Sequence, residues 1–404
     1  WPRLTDLMPA YFPGVQSKRD ALVVDIDRAM LLARMEKYFD KSISHEAMAA
    51  ICSEAIETAN ADFDLRATRE LLLARGVRPE YFVPFVFRPL DLRWIYWEPE
   101  GDLLGRKSPD LFANVNPSNQ FIVSQQRPRG SWDPPQVVTS LGCLDLMDRS
   151  ASFFPLYLKE EAMAGSIFDG APTGTKPNLS KEGVKYLSTM GAAREKPLFW
   201  HILAILHSPT YRAENAGALR QDWPRVPLPK DHALFDRSLQ LGWELRLLLD
   251  PEVDRPFGPA AGYPHNQMKF GPLTTVGGGQ LDPARGDLAL EAGWGNPGKG
   301  GIVMPGKGRV TDHGDTLDIY LSDRAHWANV PKPVWEYTLG GYQVIKKWLS
   351  YREKKILGRD LTPEEARYVT EMVRRIAAII SMGPKLDANY EACKKDGYGW
   401  PGGV

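Results

Sequence analysis

Near residue 81 the apolar residues change their spacing, and no single type of element satisfies both sides of the change. Residues 21–80 read as mainly helical. Behind Ser44 as an N-cap, Met48, Ile51, Cys52, Ala55, Ile56 and Ala59 recur at intervals of three and four, a stripe along one helix face. Residues 82–87, 93–97, 121–124, 137–140 and 153–158 are instead short aromatic and β-branched runs, punctuated by Pro and Gly. Such runs suit a pleated surface and read as strands of a mixed or antiparallel sheet.

The helical period returns downstream. Leu198, Ile202, Ile205 and Leu206 mark a helix stopped near Pro209, and 234–249 is an amphipathic helix ended by Asp250-Pro251. Residues 165–183 read as a Gly/Pro/Ser-rich loop. Residues 256–310 read as a Gly/Pro-rich stretch with short strands, 301–304 being the clearest, and 316–321 and 334–337 are better strands. Residues 342–357 then keep Tyr342, Ile345, Trp348 and Leu349 on one helical side. Thr362-Pro363-Glu364-Glu365 is a capping box with Pro at the first helical position. It opens a helix with Val369, Val373, Ile376 and Ile380 on its apolar face, ended by Gly383-Pro384. The expected fold is α+β in four parts. They are a helical lead-in over 1–80, a core of sheet and helices over 81–255, a Gly/Pro-rich β insert over 256–340, and bracing C-terminal helices over 341–404.

No apolar run approaches the ~18 residues needed to cross a bilayer, so no membrane partner is expected. Cys52, Cys143 and Cys393 lie far apart without a Cys-x-x-Cys pair, which argues against a zinc cluster or disulfide scaffold and fits a reducing cytoplasm. The 50 Lys and Arg are balanced by 50 Asp and Glu, whereas a free-standing DNA-binding domain is usually basic. A module that borrows charge from a neighbouring domain need not be. The opening Trp1-Pro2-Arg3-Leu4 is neither a signal peptide nor an initiator-methionine start, which suggests a piece of something longer.

Four stretches, in order, resemble the C-terminal specificity region of type ISP restriction–modification enzymes and related phage-defence adenine methyltransferases. Gly14-Val15-Gln16-Ser17-Lys18-Arg19-Asp20 resembles the segment that leaves the methyltransferase domain. Phe87-Arg88-Pro89-Leu90-Asp91-Leu92-Arg93-Trp94-Ile95-Tyr96 is similar to the family's YRPFDxRWIYY block, and continues through Gln126-Arg127-Pro128-Arg129 to Phe154-Pro155-Leu156-Tyr157-Leu158. Ile205-Leu206-His207-Ser208-Pro209-Thr210-Tyr211-Arg212 is followed by Asp222-Trp223-Pro224-Arg225-Val226-Pro227-Leu228-Pro229. Trp335-Glu336-Tyr337-Thr338-Leu339-Gly340-Gly341-Tyr342-Gln343-Val344 leads to Lys347-Trp348-Leu349. The chain departs from the pattern at Val83-Pro84-Phe85-Val86-Phe87, where the family has Tyr before Arg-Pro, and in the 256–310 insert, which carries no matching motif.

The resemblance implies a partner, duplex DNA. The chain would hold it against an upstream methyltransferase domain of the same polypeptide, so that one adenine can be flipped into that domain's pocket. AdoMet would then bind upstream, and neither a cofactor nor a catalytic centre is expected in this chain, which alone is not expected to be an enzyme. The residues agree with that division. Asn116-Pro117-Ser118-Asn119 lacks the second Pro and the aromatic of a base-holding loop, and Gly298-Lys299-Gly300-Gly301 lacks the spacing and Ser/Thr of a Walker A loop. Two rival readings stand beside it: an independent carbohydrate-active enzyme built on the Trp-rich parts, and a protein-interaction module without DNA reading.

The expected DNA-contacting residues lie in acid-free windows. Arg127 and Arg129 flank Pro128 within 117–132, where a guanidinium can pair with guanine or phosphate. Gln125 and Gln126 could pair with adenine. Lys176 and Lys181 fall in 170–181, and Lys299, Lys307 and Arg309 in 293–311, where lysines among mobile glycines would meet phosphates. Tyr342 and Gln343 follow Gly340-Gly341 at an expected helix start, another place for phosphate. Arg88, Asp91 and Arg93 read as a local ion pair with a structural duty, and Arg212, Asp222 and Arg225 as a buried network. Asp312, His313, Asp315 and Asp318 read as turn formers rather than a metal site. Residues 341–395 carry twelve Lys/Arg against seven Asp/Glu, so neutrality overall hides a basic end.

Overall fold

The structure, a computed structural model, describes residues 1–58, 62–148, 150–160, 174–191, 196–253, 271–298 and 302–401. The lead-in is helical because three side chains cap it in turn. Asp27, Ser44 and Asp64 accept from Ala29, Ala47 and Ala67 N–H groups and open the helices Arg28–Tyr38, His45–Ile51 and Leu65–Arg75. The guanidinium of buried Arg69 ties them together by donating to the carbonyls of Tyr38, Asp40 and Ile43. The expected stripe beyond Ser44 is cut short. Cys52 turns extended at φ −152°, so Ala55 and Ile56 reach the core through a short turn and Ile51 stays outside, 47% exposed. Ala59 lies outside the described residues.

The α+β expectation holds, with two four-stranded sheets at its centre. The first runs in the order Val24–Asp25, Asp91–Tyr96, Phe82–Arg88, Leu141–Gly142, the last pair parallel and the others antiparallel. The second runs Phe12–Pro13, Ser152–Pro155, Phe121–Ser124, Gln136–Val138 and is wholly antiparallel. Its faces serve different cores. Ile122 sits opposite both Phe154 and Val137, and these three join a core built with the C-terminal helices. Phe121, Val123, Val138 and Phe153 point the other way, into the core of the lead-in and the first sheet. Alternation along each strand is what lets one sheet wall off two cores.

The C-terminal core packs Lys196–Leu206 against His232–Leu249, with Pro363–Ser381 and Gly383–Lys395 behind them. The first two approach at Gly242, where a Cβ would lie 1.8 Å from the Trp200 carbonyl oxygen. Inside this core His201 donates from Nε2 to the Pro227 carbonyl at 2.9 Å and accepts at Nδ1 from Ser238 Oγ at 2.7 Å. A third antiparallel sheet, Leu273–Thr275, Ala325–Pro331, Thr316–Tyr320 and Val310–Asp312, covers the other end.

Several sequence expectations need correction here. Residues 334–337 are not a strand: Pro333 lies in the first turn of a short helix, Lys332–Trp335. The helix opened by Thr362 ends at Ser381, just before Gly383-Pro384 as expected, but the pair also opens a further helix, again with Pro in the first turn. The 165–183 stretch is more than a loop. Thr175–Pro177 pairs with Tyr157–Lys159, and Ser180 caps a helix, Lys181–Thr189; residues 161–173 lie outside the described ones. The 301–304 strand is Val303–Pro305, paired with Gly295–Pro297. The helix expected over 342–357 comprises Val344–Ser350 and Lys354–Leu357. The Thr362 capping box forms as expected, Thr362 Oγ1 accepting from Glu365 N–H and the Glu365 carboxylate from Thr362 N–H.

Candidate nucleic-acid interface

Strands Phe121–Ser124 and Gln136–Val138 are neighbours in the second sheet, and residues 125–135 connect them. This loop is braced at four points. Gln126 Nε2 donates to Asp222 Oδ1 at 3.1 Å, and Arg127 Nε donates to the Gln221 carbonyl at 3.1 Å. Asp133 Oδ2 accepts from Gly341 N–H at 2.7 Å, and the Pro135 carbonyl accepts from His207 Nε2 at 2.8 Å. Burial raises the Asp133 carboxyl above its usual range and pushes the His207 ring down to about 3. His207 is therefore a neutral donor at physiological pH.

The braces leave the arginines presented. Arg127 sits at φ +54°, a turn conformation, and is exposed. Its Nε bond aims the guanidinium, and its two Nη groups have no hydrogen-bond partner among the described residues. Arg129, also exposed, has no polar partner among them either. Two arginines from distant positions join the same surface: Arg3 Nη1 lies 3.8 Å from Asp222 Oδ2, and Arg225 Nη1 donates to the Trp1 carbonyl at 3.0 Å. An isolated bridge pairs Arg3 with Arg225. Sequence reasoning missed Arg3, whose neighbours in the chain carry no signal. It expected Arg225 and Asp222 in a buried network, whereas Arg225 is exposed and Asp222 partly so. Only Arg212 of that trio has an enclosed polar atom, its Nε.

The other expected residues are scattered. Gln125 is buried at 1% exposure with Oε1 enclosed, so it cannot meet a base edge from this position. Lys176 is exposed on a strand and Lys181 exposed at a helix start. Lys299 lies outside the described residues. Lys307 is exposed, yet its loop is held: Gly306 N–H donates to the Trp294 carbonyl at 2.6 Å and Gly308 N–H to the Gly293 carbonyl at 3.0 Å. The expectation of a mobile segment is corrected at Lys307. Arg309 stacks on Tyr320, 4.1 Å from the ring centre.

Tyr342 and Gln343 form a short strand that runs straight into the expected helix, with Gln343 as the N-cap of Val344–Ser350. Gly340 and Gly341, at φ +61° and +82°, make the tight turn of a hairpin with Thr338–Leu339. Tyr342 donates to the Asp145 carbonyl and Gln343 to the Trp335 carbonyl, and the Gly341 N–H before them is taken by Asp133.

Asp312 Oδ1 accepts from Gly314 N–H as a turn former, while Asp318 accepts from His313 Nε2 and Asn329 N–H. The tryptophans mostly pack inward: Trp97, Trp132, Trp223, Trp294, Trp327, Trp335 and Trp348 are buried, which leaves little indole surface for sugar stacking. The three cysteines are free, and no described helix is long and apolar enough to cross a membrane.

The braced loop that presents Arg127 and Arg129 thus hangs from a sheet that separates two cores. The chain belongs to the Type ISP C-terminal specificity domain family, which it matches over residues 6–377. Three solved structures share its fold. One is DrdV in a cryo-electron-microscopy complex with DNA, 18% identical at a TM-score of 0.61, covering 94% of this chain and 35% of that one. Another is the ATP-dependent Type ISP restriction–modification enzyme LlaBIII bound to DNA, 14% identical at 0.62, covering 95% and 23%. The third is a nuclease-deletion mutant of the Type ISP restriction–modification enzyme LlaGI with a DNA substrate mimic, 16% identical at 0.59, covering 96% and 33%. This chain thus spans between 23% and 35% of their lengths. No curated protein matches it.

Proposed function

We propose that this specificity domain reads the target sequence in duplex DNA for a restriction–modification enzyme, and holds the duplex for an adenine methyltransferase domain elsewhere in the same polypeptide. The observation that carries this reading is the 125–135 loop, fixed at both ends and presenting Arg127 and Arg129 beside Arg3 and Arg225. A guanidinium held by its own Nε bond loses little further freedom on meeting a guanine edge, so it can discriminate between bases. Lys176, Lys181 and Lys307 are ammonium groups on separate elements and suit phosphates, which position the duplex without reading it. AdoMet and the chemistry belong in this reading to the methyltransferase domain, and a reducing compartment suits the three free cysteines.

Selection from a library of randomised duplexes, followed by sequencing of the bound fraction, tests the reading. One enriched motif, with binding that weakens steeply between low and moderate salt, is the expected result. Retention of duplexes with no enriched motif would remove the reading function and leave a non-specific binder.

A further inference from the structure

A second cationic site lies next to the Gly341 brace of the 125–135 loop, where the Phe82–Arg88 strand meets the Val344–Ser350 helix. Four cations gather there: Arg88, Arg93, Lys347 and Arg352. One fully buried carboxylate, Asp91, answers two of them, at 2.7 Å from Arg93 and 2.8 Å from Arg352. Glu365 lies 4.0 Å from Arg352. Neither Arg88 nor Lys347 has a carboxylate within ion-pair distance among the described residues.

What these two cations do have is aromatic. The Arg88 guanidinium lies 4.1 Å from the Phe87 ring centre and 5.6 Å from that of Tyr342. The Lys347 ammonium lies 5.4 Å from Tyr342 and 4.8 Å from Tyr351. Both cations therefore lie within 6 Å of the Tyr342 ring centre, at 5.6 and 5.4 Å. Arg88 Nη1 donates to the Phe87 carbonyl and to Cys143 Sγ, while its Nε is enclosed without a partner. Burial pushes the Cys143 thiol up to about 11 and the Tyr342 hydroxyl up to about 12, so both are neutral at pH 7. Ring faces recover only part of the cost of enclosing a cation. Burial first, and then Arg88 and Arg93, push Lys347 down to about 8. Lys347 thus sits among like charges that Asp91 offsets only in part.

We propose that Arg88 and Lys347, both beside the Tyr342 ring, bind a backbone phosphate of the duplex. This rests on the DNA-binding reading above and adds to it a contact point outside the reading loop, built by two family motifs far apart in sequence. Both side chains are half-buried, but neither Arg88 Nη2 nor Lys347 Nζ is enclosed without a partner, so an anion can reach them without opening the core. A phosphate there would position the DNA and carry no base information.

The test compares Lys347→Gln, Arg88→Gln and Lys347→Arg with the unaltered chain, each checked for folding by circular dichroism. Duplex binding is measured across a salt series. Each glutamine variant should weaken all duplexes alike and lower the slope of log affinity against log salt by about one, while Lys347→Arg keeps it. If Arg88→Gln does not fold, the half-buried Lys347→Gln carries the comparison alone. Folded glutamine variants with unchanged slope and affinity overturn the site while leaving DNA reading intact. If the unaltered chain binds no duplex, the DNA reading fails and inorganic phosphate becomes the probe. Phosphate should then raise the melting temperature of the unaltered chain above that in chloride of equal ionic strength, and not that of Lys347→Gln. An equal response of both proteins overturns the anion site itself.

Discussion

Asp91 and Arg352, 261 positions apart, meet at 2.8 Å with both side chains excluded from solvent. Arg93 takes the other carboxylate oxygen at 2.7 Å. Burial works against an ionised Asp91, yet Arg352 and Arg93 hold it below its usual range. The link ties the first sheet to the C-terminal helices. Asp91→Ala should destabilise the domain by roughly 3–5 kcal/mol, because it strands two enclosed guanidinium groups. Urea unfolding measures this. A loss below about 1 kcal/mol would mean that Arg93 and Arg352 find other partners.

Arg127 and Arg129 should read, and Lys307 should hold. Arg127→Ala or Arg129→Ala is expected to cost about 1–3 kcal/mol on the cognate duplex and to relax preference at one base position. Lys307→Ala should weaken every duplex equally and reduce the salt slope by roughly one. Binding to single-base variants of the selected site distinguishes these. A Lys307 variant that alters preference at one position would reverse the roles.

Acid should destabilise the fold before most carboxylates titrate. Burial pushes His201 down to about 4 and His207 to about 3. Below pH ~6.5 the unfolded chain therefore binds two protons that the folded one refuses, a loss of up to about 2.7 kcal/mol per pH unit. Asp250, raised by burial to about 6, works in the opposite sense, since the fold keeps a proton there that the unfolded chain releases above pH ~4. Between about pH 4 and 6, Asp250→Asn should steepen the decline and His207→Gln should flatten it. Urea midpoints taken every half pH unit provide the check; identical profiles for all three proteins would rule the assignment out.

Local patterns were legible in the sequence where they decided local structure. The Thr362 box, the Ser44 cap and the run 121–124 each needed only their own neighbours, and each appears as read. Residues 334–337 look β-like, but Val334 and Trp335 close a short helix that has Pro333 in its first turn, and Trp335 packs on Trp294. Ala325–Pro331 went unread although its side chains alternate between core and surface, because Asn329 at φ +55° and the terminal Pro break the pattern. In the candidate site, Arg127 and Arg129 were readable from an acid-free window. The braces were not, since Gln221, Asp222 and Gly341 come from other parts of the chain. Arg88 was expected to share the local ion pair, whereas Asp91 turns to Arg352 instead, a choice made 261 residues away.

The sheet shared by two cores also limits how such a domain can diversify. Removing either core would bare half of Phe121–Ser124 and its neighbours, so neither half can be traded between relatives as a cassette. The 125–135 connection is different, because Gln125 and the stretch 132–135 are buried anchors while the side chains of 126–131 between them are partly or fully exposed. On the function proposed above, new preferences would arise by replacing a few residues within that span, with the architecture inherited whole.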